Sequence, residues 1–219
     1  MAFQGPKERM DTLPLHHVWK YTDVDRAFWQ VHLEGWLPPR IFDAHTHVNE
    51  PRFRLEQTTD AMRRQYWVNE VAEPIGAADA DRCHAIIFPG RKLSCVAFGL
   101  PFLDYDLDGS NASLQEECVK RGWYRLAVVR PQWPAEKVAR ELDLPGTLGV
   151  KVYYSLISHD PLTRDKHLEA SIFDFLPHHQ LELLDQRGAW VTLHVPRAGR
   201  LGHLDNLAEV RRIRREYPN

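Results

Sequence analysis

The sequence predicts an α/β fold in which helices cover a parallel β-sheet. Five short apolar segments, rich in Val, Ile and Leu, alternate with segments of helical periodicity. Strand followed by helix, repeated along the chain, is the pattern of a parallel sheet buried on both faces. No Gly-rich loop follows the first strand, and this argues against a dinucleotide-binding form of such a sheet.

The order of elements divides the chain into an N-terminal extension over 1–39 and an α/β domain over 40–219. The extension carries one predicted helix from Thr22 to Trp36, with Thr22 as N-cap and Asp25 placed to complete a capping box. The predicted strands cover 40–47, 83–89, 124–130, 148–154 and 189–195. The predicted helices lie near 58–72, 112–121, 134–142, 175–187 and 204–217.

Composition places the chain among soluble globular proteins. It is 43% hydrophobic and 26% charged with a formal net charge of −2, a balance that favours neither nucleic acid nor membrane as a partner. The basic run at 211–215 fits a solvated helix face. The absence of a long apolar stretch and of a signal peptide predicts a cytoplasmic protein. Three cysteines, without a C-x-x-C pair, are expected to be reduced thiols.

The segment at 40–48 carries the most informative motif, because it reads as a strand that ends in His45-Thr46-His47. Alternate residues of a strand point to one face, so His45 and His47 share a face and can bind one divalent metal ion. Two strand histidines without a ligand remain an alternative, since a His-x-His pair is a short motif. Asp43 could orient one of the imidazoles from the same strand, or could pair within the core.

Two further polar groups interrupt predicted strands near their carboxyl ends, where parallel α/β folds place their sites. Alternation puts Val191 and Leu193 toward the covering helices, so His194 points inward and can be a third ligand. The same argument places Lys151 and Tyr153 in an inward row. A buried lysine can form a carbamate that bridges two metals, or it can pair with a carboxylate; the pairing is slightly favoured.

Three motifs in order along the chain resemble the metal-dependent amidohydrolase superfamily, in particular its amidohydrolase family 2 branch. They are Phe42-Asp43-Ala44-His45-Thr46-His47, Gly149-Val150-Lys151-Val152-Tyr153 and Thr192-Leu193-His194-Val195-Pro196. The resemblance covers about residues 40–217 and implies a (β/α)8 TIM barrel with a divalent metal at its mouth. It also implies that His45, His47 and His194 are metal ligands, with zinc favoured and manganese or iron as alternatives.

The match is incomplete, because members of that family continue into further strands that carry another histidine and an aspartate. Five of eight β/α units are present here, which predicts the N-terminal part of a longer enzyme or a shortened relative. The predicted activity is hydrolysis of a small, carboxylated substrate by a metal-activated water. Decarboxylation at the same site and an incomplete, inactive barrel are the alternatives, and a homo-oligomer is compatible with each.

Candidate roles for residues other than the three histidines follow from their positions in the predicted strands and loops. Lys151 is the candidate catalytic residue. Tyr153, in the inward row, and Arg197, directly after the fifth strand, are candidate substrate contacts, because a guanidinium in a loop at the barrel mouth suits a carboxylate. Arg200, three residues further on, is a weaker candidate, and a surface arginine is the simpler interpretation of both.

Overall fold

A computed structural model of the chain describes residues 13–14, 20–57, 59–65, 75–158 and 167–219. Its centre is a five-stranded parallel sheet in the order β3-β4-β5-β6-β7, curled like half of a barrel. Each strand therefore pairs with the next strand along the chain. The sheet strands are β3 (Arg40–His47), β4 (Lys92–Phe98), β5 (Tyr124–Val128), β6 (Thr147–Val152) and β7 (Trp190–Leu193), and a short antiparallel pair, β1 (Leu13–Pro14) and β2 (Lys20–Tyr21), precedes them.

Helices connect the strands, as the sequence predicts. They are α1 (Asp23–Phe28), α2 (Asp60–Gln65), α3 (Ala77–Ile87), α4 (Leu107–Arg121), α5 (Ala135–Leu142), α6 (Ile172–Phe175), α7 (His178–Arg187) and α8 (Leu204–Glu216). The predicted helix at 175–187 corresponds to α7, which begins at His178 because Pro177 is its N-cap; the short α6 before it ends at Phe175. Part of the predicted helix at 58–72 lies outside the described residues.

The predicted strand at 83–89 is wrong, since these residues form the last turns of α3 and the segment beyond it. Ala77 and Ala80, three residues apart on one face of α3, are buried, whereas Ile87 at its end is exposed. A short apolar run fits a buried strand and a buried helix segment equally well. The strand itself, β4, covers Lys92–Phe98, a segment that is as apolar as 83–89. Phe98 therefore lies at the carboxyl end of a strand.

The N-terminal helix begins as predicted. Thr22 is its N-cap, and the Asp25 carboxylate accepts a hydrogen bond from the Thr22 backbone N–H at 2.7 Å, which completes the capping box. The helix continues through a π-helical turn, Trp29–Leu33, in place of a regular last turn. Trp29 is buried and packs edge-on against Phe88, and the Arg91 guanidinium lies over the Trp29 ring, so these contacts hold the segment against the domain.

The core lies between the sheet and its helices. Val150 and Val152 of β6 are fully buried, and Val191 and Leu193 of β7 pack against the same cluster. This agrees with the predicted direction of the strands, in which Lys151 and His194 face away from the helices. No helix within the described ranges is long and apolar enough to cross a bilayer.

One charged side chain is fully buried in the core. Arg125 of β5 donates to Thr147 Oγ1 at 2.9 Å, to the Asn111 carbonyl at 3.1 Å and to Glu141 Oε2 at 2.8 Å. A buried charge is tolerated when it is paired and its donors are satisfied. Arg125 therefore ties β5 to β6, α4 and α5.

Candidate metal centre

Two imidazoles meet at the carboxyl end of β3. The ring centroids of His45 and His47 are 5.3 Å apart, and the Phe98 ring lies edge-on against both, at 4.7 and 4.6 Å. An ion about 2.1 Å from a ring nitrogen lies roughly 3.2 Å from the centroid, so two imidazoles sharing a tetrahedral ion have centroids roughly 5.3 Å apart. The spacing of this pair therefore fits a shared ion.

A bulge in β3 lies directly below the pair. The pairing with β4 shifts by one residue between Asp43 and Thr46, and the Asp43 carboxylate accepts a hydrogen bond from the His45 backbone N–H at 2.9 Å. Its other oxygen lies 3.9 Å from Nε2 of His84 on α3. One oxygen of Asp43 thus holds the bulge through a backbone contact, and the other lies beside the His84 imidazole.

His47 is held in the neutral form. Burial lowers its pKa to about 3, with further lowering by Lys151 and His45, while the Gly99 backbone acts in the opposite direction. Within the described residues its buried Nδ1 has no hydrogen-bond partner. Neutral imidazole is the form that binds metal ions, so this nitrogen is chemically able to be a ligand.

His194 lies directly after β7, where its ring contacts two tyrosines. The Tyr153 ring centroid is 4.2 Å away and that of Tyr154 is 5.6 Å away, and the Tyr153 hydroxyl donates to the Tyr154 hydroxyl at 3.3 Å. Burial lowers the pKa of His194 to about 4, and the positive charge of Lys151 adds to this effect. Tyr153 therefore lies beside a candidate ligand.

Lys151 lies among these side chains without a carboxylate. It is only 3% exposed, its Nζ lies 5.2 Å from the Phe98 ring centroid, and no ion pair to it occurs in the part of the chain that the structure describes. Burial lowers its pKa to about 8. The carboxylate pairing that the sequence favoured is not found among the described residues, and the buried amine loses its proton more easily than an ordinary lysine does.

The three histidines do not form a closed ligand set as placed. Among the residues that the structure describes, no three His, Cys, Asp or Glu side chains converge closely enough to hold a metal ion. His45 and His47 are a pair. His194 lowers the pKa of His47, and the pKa of His194 is in turn lowered by His45, while the His194 ring contacts Tyr153. Imidazole rotation about χ1 and χ2 would be needed for a third nitrogen to join the pair.

Arg197 has internal partners. Its guanidinium donates to Asn206 Oδ1 at 2.6 Å and to Glu209 Oε1 at 3.1 Å, both on α8, and the side chain is buried. A guanidinium with these partners is not free to bind a substrate carboxylate. Arg200, in contrast, is exposed, and its charge lowers the pKa of His194.

Sequence reasoning missed two aromatic side chains of this site. Phe98 lies outside every predicted strand, because the strand that became β4 was predicted at 83–89. Tyr154 was predicted as the last residue of the strand at 148–154, with no role in the site, whereas it begins a 3-10 turn, Tyr154–Ile157, beyond β6. A signal for Phe98 was present, because an aromatic residue ahead of Gly99-Leu100-Pro101 marks the end of an apolar run.

Comparison of the chain with protein-family models, with curated proteins and with solved structures gives no match. The resemblance to the amidohydrolase superfamily therefore depends on three short motifs alone.

Proposed function

We propose that the chain is a metal-dependent hydrolase of the amidohydrolase type, acting on a small carboxylated substrate, and that its sheet is part of a (β/α)8 barrel. His45, His47 and His194 would hold a divalent ion, with zinc favoured by an all-nitrogen ligand set. The observation that carries the proposal is the His45–His47 pair, whose 5.3 Å centroid spacing suits a shared ion and whose His47 Nδ1 is buried without a partner.

The protonation state of the histidine ring nitrogens supports this proposal. Both His47 and His194 have a lowered pKa, so their ring nitrogens are available at neutral pH without displacing a proton. When bound there, a divalent ion would polarise a substrate carbonyl and lower the pKa of water. Beside the histidines lie the aromatic rings of Phe98, Tyr153 and Tyr154, all of which are buried.

Lys151 is the chain's candidate for proton transfer. With a pKa of about 8 it exists in both protonation states near neutral pH, which is what a general acid or base requires. Its position over Phe98 keeps the amine at the inner face, close enough to lower the pKa of each of the three histidines. We assign it the catalytic role and assign Tyr153 to substrate contact.

Two alternatives use the same side chains. A decarboxylase would bind the same kind of carboxylated substrate and release carbon dioxide. A chain that binds a ligand without catalysis is favoured by one observation, the lack of three converging metal-ligating groups within the described residues.

The test is turnover of N-benzoylglycine, an amide that carries a carboxylate, by the zinc-loaded chain. We expect zinc-dependent hydrolysis that is lost in Lys151→Met and retained in Lys92→Met, which removes an exposed lysine. Release of carbon dioxide from 4-hydroxybenzoate without amide hydrolysis would favour the decarboxylase. Zinc binding with neither reaction would favour the non-catalytic chain.

A further inference from the structure

A cavity of about 440 Å³ lies at the amino ends of β3, β4 and β5. Its volume falls within the range of roughly 300 to 1,000 Å³ that is usual for small-molecule sites. The candidate metal centre is at the other end of the same sheet, because β3 begins at Arg40 and ends at His47. At about 3.3 Å per residue the two ends of β3 are roughly 20 Å apart, so the cavity is separate from the histidine pair.

Strand pairing brings two cationic side chains together at this cavity. Arg40 of β3 is paired with Lys92 of β4, and both residues are exposed and line the cavity. Directly paired residues of neighbouring strands project from the same face of a sheet. Neither cation has an ion pair or a side-chain hydrogen bond to another described residue, and none of the described residues that line the cavity is acidic. Two adjacent positive charges are thus left without a counter-charge.

A third cation at the cavity, Arg121 at the end of α4, is already neutralised. Its Nε donates to Asp81 Oδ2 at 2.6 Å, and its Nη1 forms an ion pair with Glu117. The guanidinium also lies over the Trp123 ring, 5.6 Å from the ring centroid. Arg121 is therefore a fixed part of the cavity wall, and the charge that remains for a ligand is that of the Arg40 pair. A cleft lined by free charges of one sign attracts ligands of the opposite sign.

Two exposed aromatic rings lie beside the cations and also line the cavity. Phe42 is 48% exposed and Tyr124 is 42% exposed, and their ring centroids are 6.0 Å apart at an interplanar angle of 62°. Phe42 follows Arg40 by two residues, so the two side chains share a face of β3. Large apolar side chains that are exposed together in a concave surface offer a contact for a flat ring, which packs against them offset or edge-on.

We propose that this cavity binds a phosphate monoester that carries a planar aromatic ring. Arg40 and Lys92 bind the phosphate, the guanidinium through two parallel hydrogen bonds and the ammonium as a point charge. A phosphate monoester carries roughly 1.5 to 2 negative charges near neutral pH, and this matches two free cations better than the single charge of a carboxylate does. Phe42 and Tyr124 contact the ring. The proposal does not depend on the proposed function, because the two sites share no residue.

The test uses phenyl phosphate as the probe, added to the chelator-treated full chain and followed by calorimetry. Inorganic phosphate lacks the ring and phenol lacks the charge, so these two compounds measure the two halves of the ligand separately. Arg40→Gln and Lys92→Met remove the cations one at a time, Arg40→Lys keeps the charge without the paired donors, and Phe42→Leu removes one ring. The matched controls are Arg211→Gln and Trp36→Leu, which replace an exposed cation and an exposed aromatic residue that do not line the cavity.

We expect phenyl phosphate to bind more tightly than inorganic phosphate or phenol. Arg40→Gln and Lys92→Met should each weaken phenyl phosphate binding about tenfold, since each removes charge-assisted hydrogen bonds, and Arg40→Lys should restore part of the affinity. Phe42→Leu should weaken binding of phenyl phosphate and leave that of inorganic phosphate unchanged. Both control variants should bind phenyl phosphate as the wild type does. If Phe42→Leu fails to fold, Tyr124→Leu tests the ring contact in its place.

Absence of phenyl phosphate binding, or wild-type affinity in either Arg40→Gln or Lys92→Met, would overturn the proposal. Equal affinity for phenyl phosphate and inorganic phosphate would overturn the recognition of the ring. His47→Ala separates this cavity from the candidate metal centre. Wild-type affinity for phenyl phosphate in that variant supports a site at the amino ends of the strands, whereas loss of binding would place the probe at the histidines and overturn the proposal.

Discussion

The carboxylate of Asp43 accepts a hydrogen bond from the backbone N–H of His45, with 2.9 Å between Oδ1 and N. This bond spans the bulge at which β3 shifts its pairing with β4. The extra residue turns the end of the strand, so that the rings of His45 and His47 both lie against Phe98. The histidine pair therefore depends on a local backbone feature.

Replacement of Asp43 should weaken the bulge. We expect Asp43→Ala to lower the free energy of unfolding by about 1 kcal/mol, since it removes one hydrogen bond to a backbone N–H. Asp43→Asn keeps the acceptor oxygen and should cost less. Urea denaturation of the three chains measures the difference. Equal losses for Ala and Asn would show that the negative charge, acting on His84, matters more than the bond to His45.

Stability should depend on His47 below neutral pH. Its pKa is about 3 in the folded chain against an ordinary 6.5, so the unfolded state takes up a proton first as the pH falls. Stability from neutral His47 is present above pH 6.5 and is lost as the pH falls from there toward 3, on the order of 2 kcal/mol by about pH 5 to 4. His47→Gln should flatten this dependence in the metal-free chain, whereas His32→Gln, at an exposed position, should not. Parallel curves of unfolding free energy against pH for the wild type and the two variants would contradict this prediction.

Lys151 should destabilise the metal-free fold at neutral pH. Its pKa of about 8 lies below the ordinary 10.5, so the folded chain binds its proton less tightly than the unfolded chain. The penalty is full below pH 8 and disappears as the pH rises past 10.5. We expect Lys151→Met to raise the unfolding free energy at neutral pH by on the order of 2 kcal/mol, and Lys92→Met to leave it unchanged. A destabilised Lys151→Met chain would indicate a stabilising partner for the amine.

The buried Arg125 should depend on Glu141. Glu141→Gln leaves the guanidinium buried with carbonyl and hydroxyl acceptors but without its counter-charge. We expect a loss of about 2 to 3 kcal/mol in unfolding free energy. Glu136→Gln, at an exposed position of the same helix, should change it by less than about 0.5 kcal/mol. Thermal and urea denaturation of both variants provide the comparison, and similar stability of the two would refute a structural role for this pair.

Strand ends with clear alternation could be predicted from sequence. β3 has the predicted bounds, and the inward direction of Lys151 and His194 follows from the period of two in β6 and β7. The capping box of α1 was also predicted, because it depends only on residues three apart. These features are local, and a single segment contains all the information that they require.

Features that depend on two or more segments could not be predicted. The bulge at Asp43 arises from pairing with β4, and β4 itself was misplaced because the apolar run at 83–89 belongs to α3. Arg197 follows a strand end, as a ligand-binding residue would, but Asn206 and Glu209 on α8 give it internal partners. The sequence does not show how close the loop after β7 lies to α8. It also does not show which of Arg197 and Arg200 has internal partners.

Zinc stoichiometry tests the central claim most directly. The purified chain, dialysed against zinc and analysed for bound metal, should hold one ion, and both His47→Ala and His194→Ala should lose it while His32→Ala retains it. This result would mean that His194 turns from Tyr153 to join the pair on β3. A wild-type chain without zinc, or a His194→Ala chain that binds zinc as tightly as the wild type, would contradict the three-histidine site.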